Sequence, residues 1–222
     1  METATPPRSP DAVPAFCYLA RGILGSHGEH DAYLQWEEEL LCRRSARFPA
    51  RLQLSQAVEL DGQSVLDFTE ADFDHLFGIN TKGAFFTLQK AAKHVADNGR
   101  IIYIGSSNTA FPLPRRALYG GSKVAPEFLV EVLAKEIDHR GVAVNSILLT
   151  AIEGAGVYGD SVKPEFREFI KSFRPMQCMG SVDAVANAAE YLAGDLAAFV
   201  SGQFICLFLA ELRPSLGNIS GF

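Results

Sequence analysis

The sequence predicts an α/β fold, a doubly wound parallel sheet with helices on both faces. Three observations carry that expectation. Short apolar runs rich in β-branched residues, at 101–104 and 142–147, have the length and composition of buried strands, and the apolar run 204–209 is of similar length. Between them lie longer segments, 71–95, 118–139 and 184–192, in which apolar residues recur at helical spacing. Strands that alternate with helices in this way pair in parallel through helical crossovers. The third observation is size: 222 residues, 48% of them apolar, suffice for one substantial core.

The same composition excludes several classes. A net charge of −6 and a pI near 5.4 speak against a nucleic-acid partner, which needs clustered Lys and Arg to neutralise phosphates. Cys17, Cys42, Cys178 and Cys206 are scattered without a CxxC pair, so we expect thiols of a reducing compartment and no metal. No signal peptide is evident, and the apolar stretch 15–24 is broken by Arg21. The run 204–209 is far shorter than the ~20 residues of a membrane-spanning helix. A cytoplasmic protein without membrane partners is expected.

Taken in order, residues 1–60 are the least regular. Pro6, Pro7, Pro10 and Pro14 suggest an extended or disordered lead-in. Gly22, Gly25 and Gly28 invite comparison with a phosphate-binding turn, but the acidic surroundings at 27–31 favour a simple turn. Arg43, Arg44, Arg47 and Arg51 read as a solvated helix end ahead of a site for the extra phosphate of NADP. Tyr33 and Trp36 read as core. From residue 58 the pattern is orderly. Thr69 is a helix cap, with Glu70 and Asp72 in the first turn. Phe73, Leu76, Phe77, Phe85, Leu88 and Ala92 then repeat at helical spacing until Asp97-Asn98-Gly99. The strand 101–104 leads through Gly105 to Ser106 and Ser107.

A Pro-punctuated loop follows, then Tyr119 and Lys123, four positions apart at the start of a helix. That spacing stacks phenol and ammonium on one face. A neighbouring cation favours the phenolate and lowers the tyrosine pKa from about 10, which suits it to proton transfer near neutral pH. A serine hydroxyl at the strand end is suited to holding a carbonyl oxygen. Farther along, Pro126 predicts a kink, because it lacks an N–H and crowds Ser122 four residues earlier. Glu153 opens a glycine-bearing loop to 163. The helix 164–173 follows, whose Phe166, Phe169, Ile170 and Phe173 read as core. Ser181 caps the helix 184–192.

Strand, serine, tyrosine and lysine in this order resemble the short-chain dehydrogenase/reductase family. Its signature is Tyr-x-x-x-Lys with a serine about thirteen positions earlier, and Ser106 stands thirteen before Tyr119, with Ser107 as the neighbouring alternative. The resemblance covers roughly residues 55–208 and includes Asn80 in NTKGAFF, the VNxI strand at 144–147 and the approach to the last strand at 198–203. It implies a Rossmann-like fold and reduction of a ketone or aldehyde, or oxidation of the alcohol, with NADP or NAD, NADP slightly ahead. By the same resemblance Tyr119 is the general acid and base, Ser106 orients the carbonyl, and Lys123 holds the cofactor ribose. Asn80 completes a water relay, and the Ile152 amide meets the nicotinamide carboxamide. Without the resemblance, a mid-helix Asn is a packing or solvent residue.

The departures lie at the ends. Leu149-Thr150 replaces the family's Pro-Gly, and 118 residues precede the tyrosine, fewer than the family places there. Residues 51–58 lack the Asn-Asn-Ala-Gly strand end. The first βαβ unit is therefore expected to be incomplete, with a divergent segment at 1–54 and the catalytic α/β domain at 55–222. Two readings follow: an NAD(P)-dependent reductase of a small carbonyl substrate, or an inactive truncated relative serving as a binding or oligomerisation scaffold. Helices 71–95 and 118–139 match those through which the family forms homodimers and homotetramers.

Overall fold

The computed structural model of the protein describes residues 51–54, 62–153, 164–172 and 176–207. Among the described residues four strands form one sheet: β1 (Arg51–Leu54), β2 (Arg100–Ser106), β3 (Ala143–Leu149) and β4 (Phe204–Cys206). They lie in sequence order and every pair is parallel. β1 lies ahead of the domain boundary expected at residue 55, yet it pairs along its whole length with residues 100–103 of β2. Gly22, Gly25, Gly28, Tyr33, Trp36, Arg43, Arg44 and Arg47, for which the sequence raised expectations, lie outside the described residues.

Each crossover carries helices. Between β1 and β2 run α1 (Glu70–Phe77) and α2 (Ala84–His94), between β2 and β3 runs α3 (Ala117–Glu136), and between β3 and β4 run α4 (Pro164–Ser172) and α5 (Val182–Ala193). Alternation along β2 sends its side chains to two faces. Ile101 and Tyr103 meet Leu88 and Ala91 of α2, Val130 and Leu133 of α3, and Val144. Ile102 and Ile104 meet Ile147 and, on α5, Ala189 and Leu192. The sheet is thus covered on both sides, as an α/β doubly wound fold requires. Burying each such aliphatic side chain contributes about 1.5–3 kcal/mol. Among the described residues no helix is long and apolar enough to cross a membrane.

The long helix expected over 71–95 is not regular. Thr69 caps it reciprocally: Asp72 donates its N–H to the Thr69 hydroxyl, and the Asp72 carboxylate accepts the Thr69 N–H at 2.9 Å. At Gly78–Gly83 the backbone widens into a π-helical turn before α2 resumes. The aromatics spaced along this segment also divide: Leu76, Leu88 and Ala92 are buried, whereas Phe73, Phe85 and Phe86 are exposed. The expected helix 118–139 ends at Glu136, and a 3₁₀ turn (Asp138–Arg140) follows. Arg140 there closes the end of α2, donating to the carbonyls of Ala92 and Val95 and pairing with Asp97.

The kink expected at Pro126 is not seen as a break, because α3 runs through it. The reason is a substitute donor. Pro126 deprives the Ser122 carbonyl of its helical partner, and the Thr81 hydroxyl donates to that carbonyl at 2.8 Å. In the helix 164–172, Ile170 and Phe169 pack with Ala151 and Met179, as core residues should. The side chains of Phe166 and Phe173 lie outside the described residues. The last strand stops at Cys206, and its expected end at 209 lies outside them too.

Candidate active site

Parallel α/β sheets bind ligands beyond the carboxyl ends of their strands, and the chemistry-bearing residues gather at that edge here. Ser106 is the last residue of β2, opposite Leu149 of β3. The chain turns directly after it, so that the Ser106 carbonyl accepts from the Thr109 hydroxyl at 2.7 Å and from the Thr109 amide at 3.2 Å. The Asn108 N–H donates to Ser106 Oγ at 3.3 Å. With a lone pair of Oγ engaged, the serine's own proton is oriented for donation elsewhere. Ser107 continues the sheet, its amide donating to the Leu149 carbonyl at 2.8 Å.

Helix α3 begins at Ala117 and places Tyr119 and Lys123 on its buried side, 8% and 2% exposed. The Lys123 ammonium stands 5.6 Å above the ring of the fully buried Tyr103, a cation–π arrangement that helps a buried charge.

Asn80 falls inside the π-helical turn and is fully buried. Its Nδ2 donates to Ser122 Oγ at 2.9 Å, and Ser122 Oγ donates onward to the Tyr119 carbonyl at 2.7 Å. Ser122 therefore joins the turn that carries Asn80 to the helix that carries Tyr119 and Lys123. Together with the Thr81 bond, this holds the two helices in one register. Ser106, Tyr119, Lys123 and Asn80 are thus drawn into one buried region. Ile152 lies just past the end of β3, 4% exposed and bridged in parallel to Gly180. That bridge uses the Ala151 carbonyl and the Glu153 amide.

Three residues of the site escaped the sequence reading. Ser122 and Thr81 are short polar residues beside the expected ones, and only the proximity of two helices shows their partners. Glu127 had a visible signal: an acid four positions after Lys123 and eight after Tyr119, on the same helix face. It is 7% exposed, and burial pushes its carboxyl up to about 7 against the opposing pull of Thr109, the Ser106 amide and Lys123. Burial likewise raises the Tyr103 phenol well above its usual value, with Glu127 and Tyr119 adding to the effect. Among the described residues no group of three or more His, Cys, Asp or Glu is placed to hold a metal ion.

Comparison with known proteins agrees with this fold. The family model for enoyl-(acyl carrier protein) reductase matches residues 54–207. A chloroplastic NADPH-dependent aldehyde reductase-like protein of Arabidopsis thaliana is 34% identical over 161 residues, 71% of this chain and 59% of that protein. A short-chain dehydrogenase/reductase of Pestalotiopsis microspora is 47% identical over 154 residues, 63% of this chain and 57% of that protein. The chain thus spans less than two thirds of the length of these curated relatives. Among solved structures, the angucycline C-6 ketoreductase LanV with bound NADP superposes with a TM-score of 0.65 at 26% identity, over 80% of this chain and 69% of that one. With a family model covering most of its length and the signature residues gathered at the carboxyl edge of a parallel sheet, the chain belongs to the short-chain dehydrogenase/reductase family.

Proposed function

We propose that this protein reduces a ketone or aldehyde to an alcohol, or runs the reverse oxidation, with NADP(H) ahead of NAD(H). The observation that carries the reading is the hydrogen-bonded path from Asn80 through Ser122 to the Tyr119 carbonyl, beside a buried Lys123 and a turn-held Ser106. Ser106 donates to the substrate oxygen and fixes the carbonyl. Tyr119 supplies the proton to the alkoxide as it forms. Lys123 favours the phenolate afterwards and holds the ribose, and Asn80 carries the relay towards solvent through a water. The nicotinamide, when bound, supplies the hydride. Ile152 would meet its carboxamide: the Ile152–Gly180 bridge runs through the Ala151 carbonyl and the Glu153 amide and does not use Ile152's own N–H and C=O. The LanV ketoreductase, solved with NADP, supports the choice of nucleotide and of a carbonyl substrate.

Titration with NADPH and NADH, followed by nicotinamide fluorescence, tests this. Saturable binding weakened by Lys123→Ala is expected. A folded protein that binds neither nucleotide would overturn it.

A second reading, an inactive scaffold that self-associates, rests on a different observation. Phe73, Phe85, Phe86, Val124 and Phe128 are exposed on the helices at 70–94 and 117–136, and Phe77, Phe85 and Phe86 line a groove of about 540 Å³ with Asp74 and Lys82. Contiguous exposed aromatics of this kind mark interaction surfaces. Self-association through these helices, as a homodimer or homotetramer, is compatible with the reductase and is part of the proposal. We place the protein in the cytoplasm and its catalytic domain from β1 at residue 51 onward, because that strand belongs to the sheet.

A further inference from the structure

The mechanism above leaves one buried charge-bearing group unused. Glu127 lies one turn beyond Lys123 on α3 and reaches across to β2, where its Oε1 accepts the Ser106 N–H at 3.4 Å. The approach is possible because residue 105 is glycine. A Cβ there would stand 2.6 Å from Glu127 Oε1 and 2.8 Å from the Leu148 side chain, a clash that no adjustment of one group relieves. Two buried hydroxyls close by, Tyr103 Oη and Ser146 Oγ, have no hydrogen-bond partner, and Ser146 Oγ shares the notch at Gly105. The carboxyl is therefore held among buried groups, with the Ser106 amide as its hydrogen-bond donor and Thr109 close enough to favour its charge.

We propose that Glu127 is a positioning residue for Ser106, its carboxylate fixing the strand end from which the serine hydroxyl meets the substrate carbonyl. The inference rests on the reductase reading for its catalytic consequence, but not for the contact itself. Ser106 is then held at three points: its amide by Glu127, its carbonyl by Thr109 and its hydroxyl by the Asn108 amide. Misplacement of a substrate-orienting group by a fraction of an ångström to an ångström lowers rates steeply. An ionised acceptor makes a stronger bond than a neutral one. The groups facing the carboxyl are Lys123 and Thr109, which favour its charge, and Tyr103 and Cys206, whose own ionisation it opposes. Protonation of Glu127, centred at about 7, loosens the hold on Ser106.

The test uses Glu127→Gln, which keeps an acceptor but cannot titrate, and Glu127→Leu, which has similar size and no acceptor. In the full-length protein the Ser106 backbone amide resonance should shift with pH, with a midpoint at about 7 in the wild type, and should be flat in Glu127→Gln. Under turnover, Glu127→Leu should lower kcat roughly 10- to 100-fold with little change in the KM for nucleotide. Glu127→Gln should restore most of that rate and abolish the rise in kcat through neutral pH. An amide that ignores pH in the wild type, or a Leu variant with wild-type kcat, would overturn the proposal. If Glu127→Leu does not fold, the wild-type and Gln titrations decide. A wild type that neither binds NADPH nor turns over would sink the reductase reading alone, since the amide titration still reports on Glu127.

Discussion

At the scale of single residues, the proposed chemistry depends on Tyr119 more than on any neighbour, because in that mechanism its hydroxyl delivers the proton. Tyr119→Phe removes one oxygen and no packing volume. We expect kcat to fall about 10²- to 10⁴-fold with nucleotide binding nearly unchanged, measured by steady-state kinetics alongside fluorescence titration. The adjacent serines should separate in the same assay. Ser106→Ala removes the hydroxyl oriented by the Asn108 amide and should disable turnover, whereas Ser107→Ala should be mild. Glu127 gives a stability signal with a definite sign. Its folded-state carboxyl is raised from 4.5 to about 7, so its stabilising proton is fully held below 4.5 and lost as pH rises through about 7. The Tm of wild type should therefore decline relative to Glu127→Gln as pH is taken from about 5 to 8, the gap levelling above 7. A parallel pair of Tm curves would contradict this.

At the scale of elements, two irregularities compensate each other. Pro126 within α3 strands the Ser122 carbonyl, and the π-helical turn at Gly78–Gly83 brings Thr81 to satisfy it. Thr81→Val should leave a buried carbonyl without a donor and cost about 1–3 kcal/mol in denaturant unfolding. In a Pro126→Ala background residue 126 regains its N–H, and the same Thr81→Val change should then cost clearly less. Additive effects in that double-mutant cycle would show that the two sites are independent. Much of this level was legible in advance. Strand positions followed from β-branched runs and helix positions from apolar spacing, since both patterns are local. The π-helical turn was not legible, because GINTKG carries no period of its own and its geometry answers to Ser122 on another helix.

At the scale of the molecule, the unexpected feature is the exposed aromatic face. Phe85 at 43% and Phe128 at 67% exposure are too open for core residues of a helix. In the proposed assembly they are covered by another copy. Phe85→Glu combined with Phe128→Glu should move the protein in analytical ultracentrifugation from an oligomer to the 24.1 kDa monomer, with circular dichroism unchanged. A monomeric wild type would refute self-association through this face.

The sequence by itself determined the fold class, the order of strands and helices from residue 69 onward and the identities of Ser106, Tyr119, Lys123 and Asn80 as candidates, but not the strand β1 at Arg51–Leu54. The helices and the stacking of Tyr119 over Lys123 depend on short-range periodicity and spacing, which chain geometry translates directly into faces of helices, whereas Asn80 and the choice of Ser106 came from the family resemblance. Only the tertiary structure decided that Asn80 meets Ser122, that Thr81 repairs the helix at Pro126 and that Glu127 reaches the Ser106 amide through the gap left by Gly105. Those contacts join residues 42, 41 and 21 positions apart, or more than ten helical rungs in the first two cases, and each requires donor and acceptor to meet within a few tenths of an ångström. No local pattern encodes such a meeting. It follows from how the helices settle on the sheet.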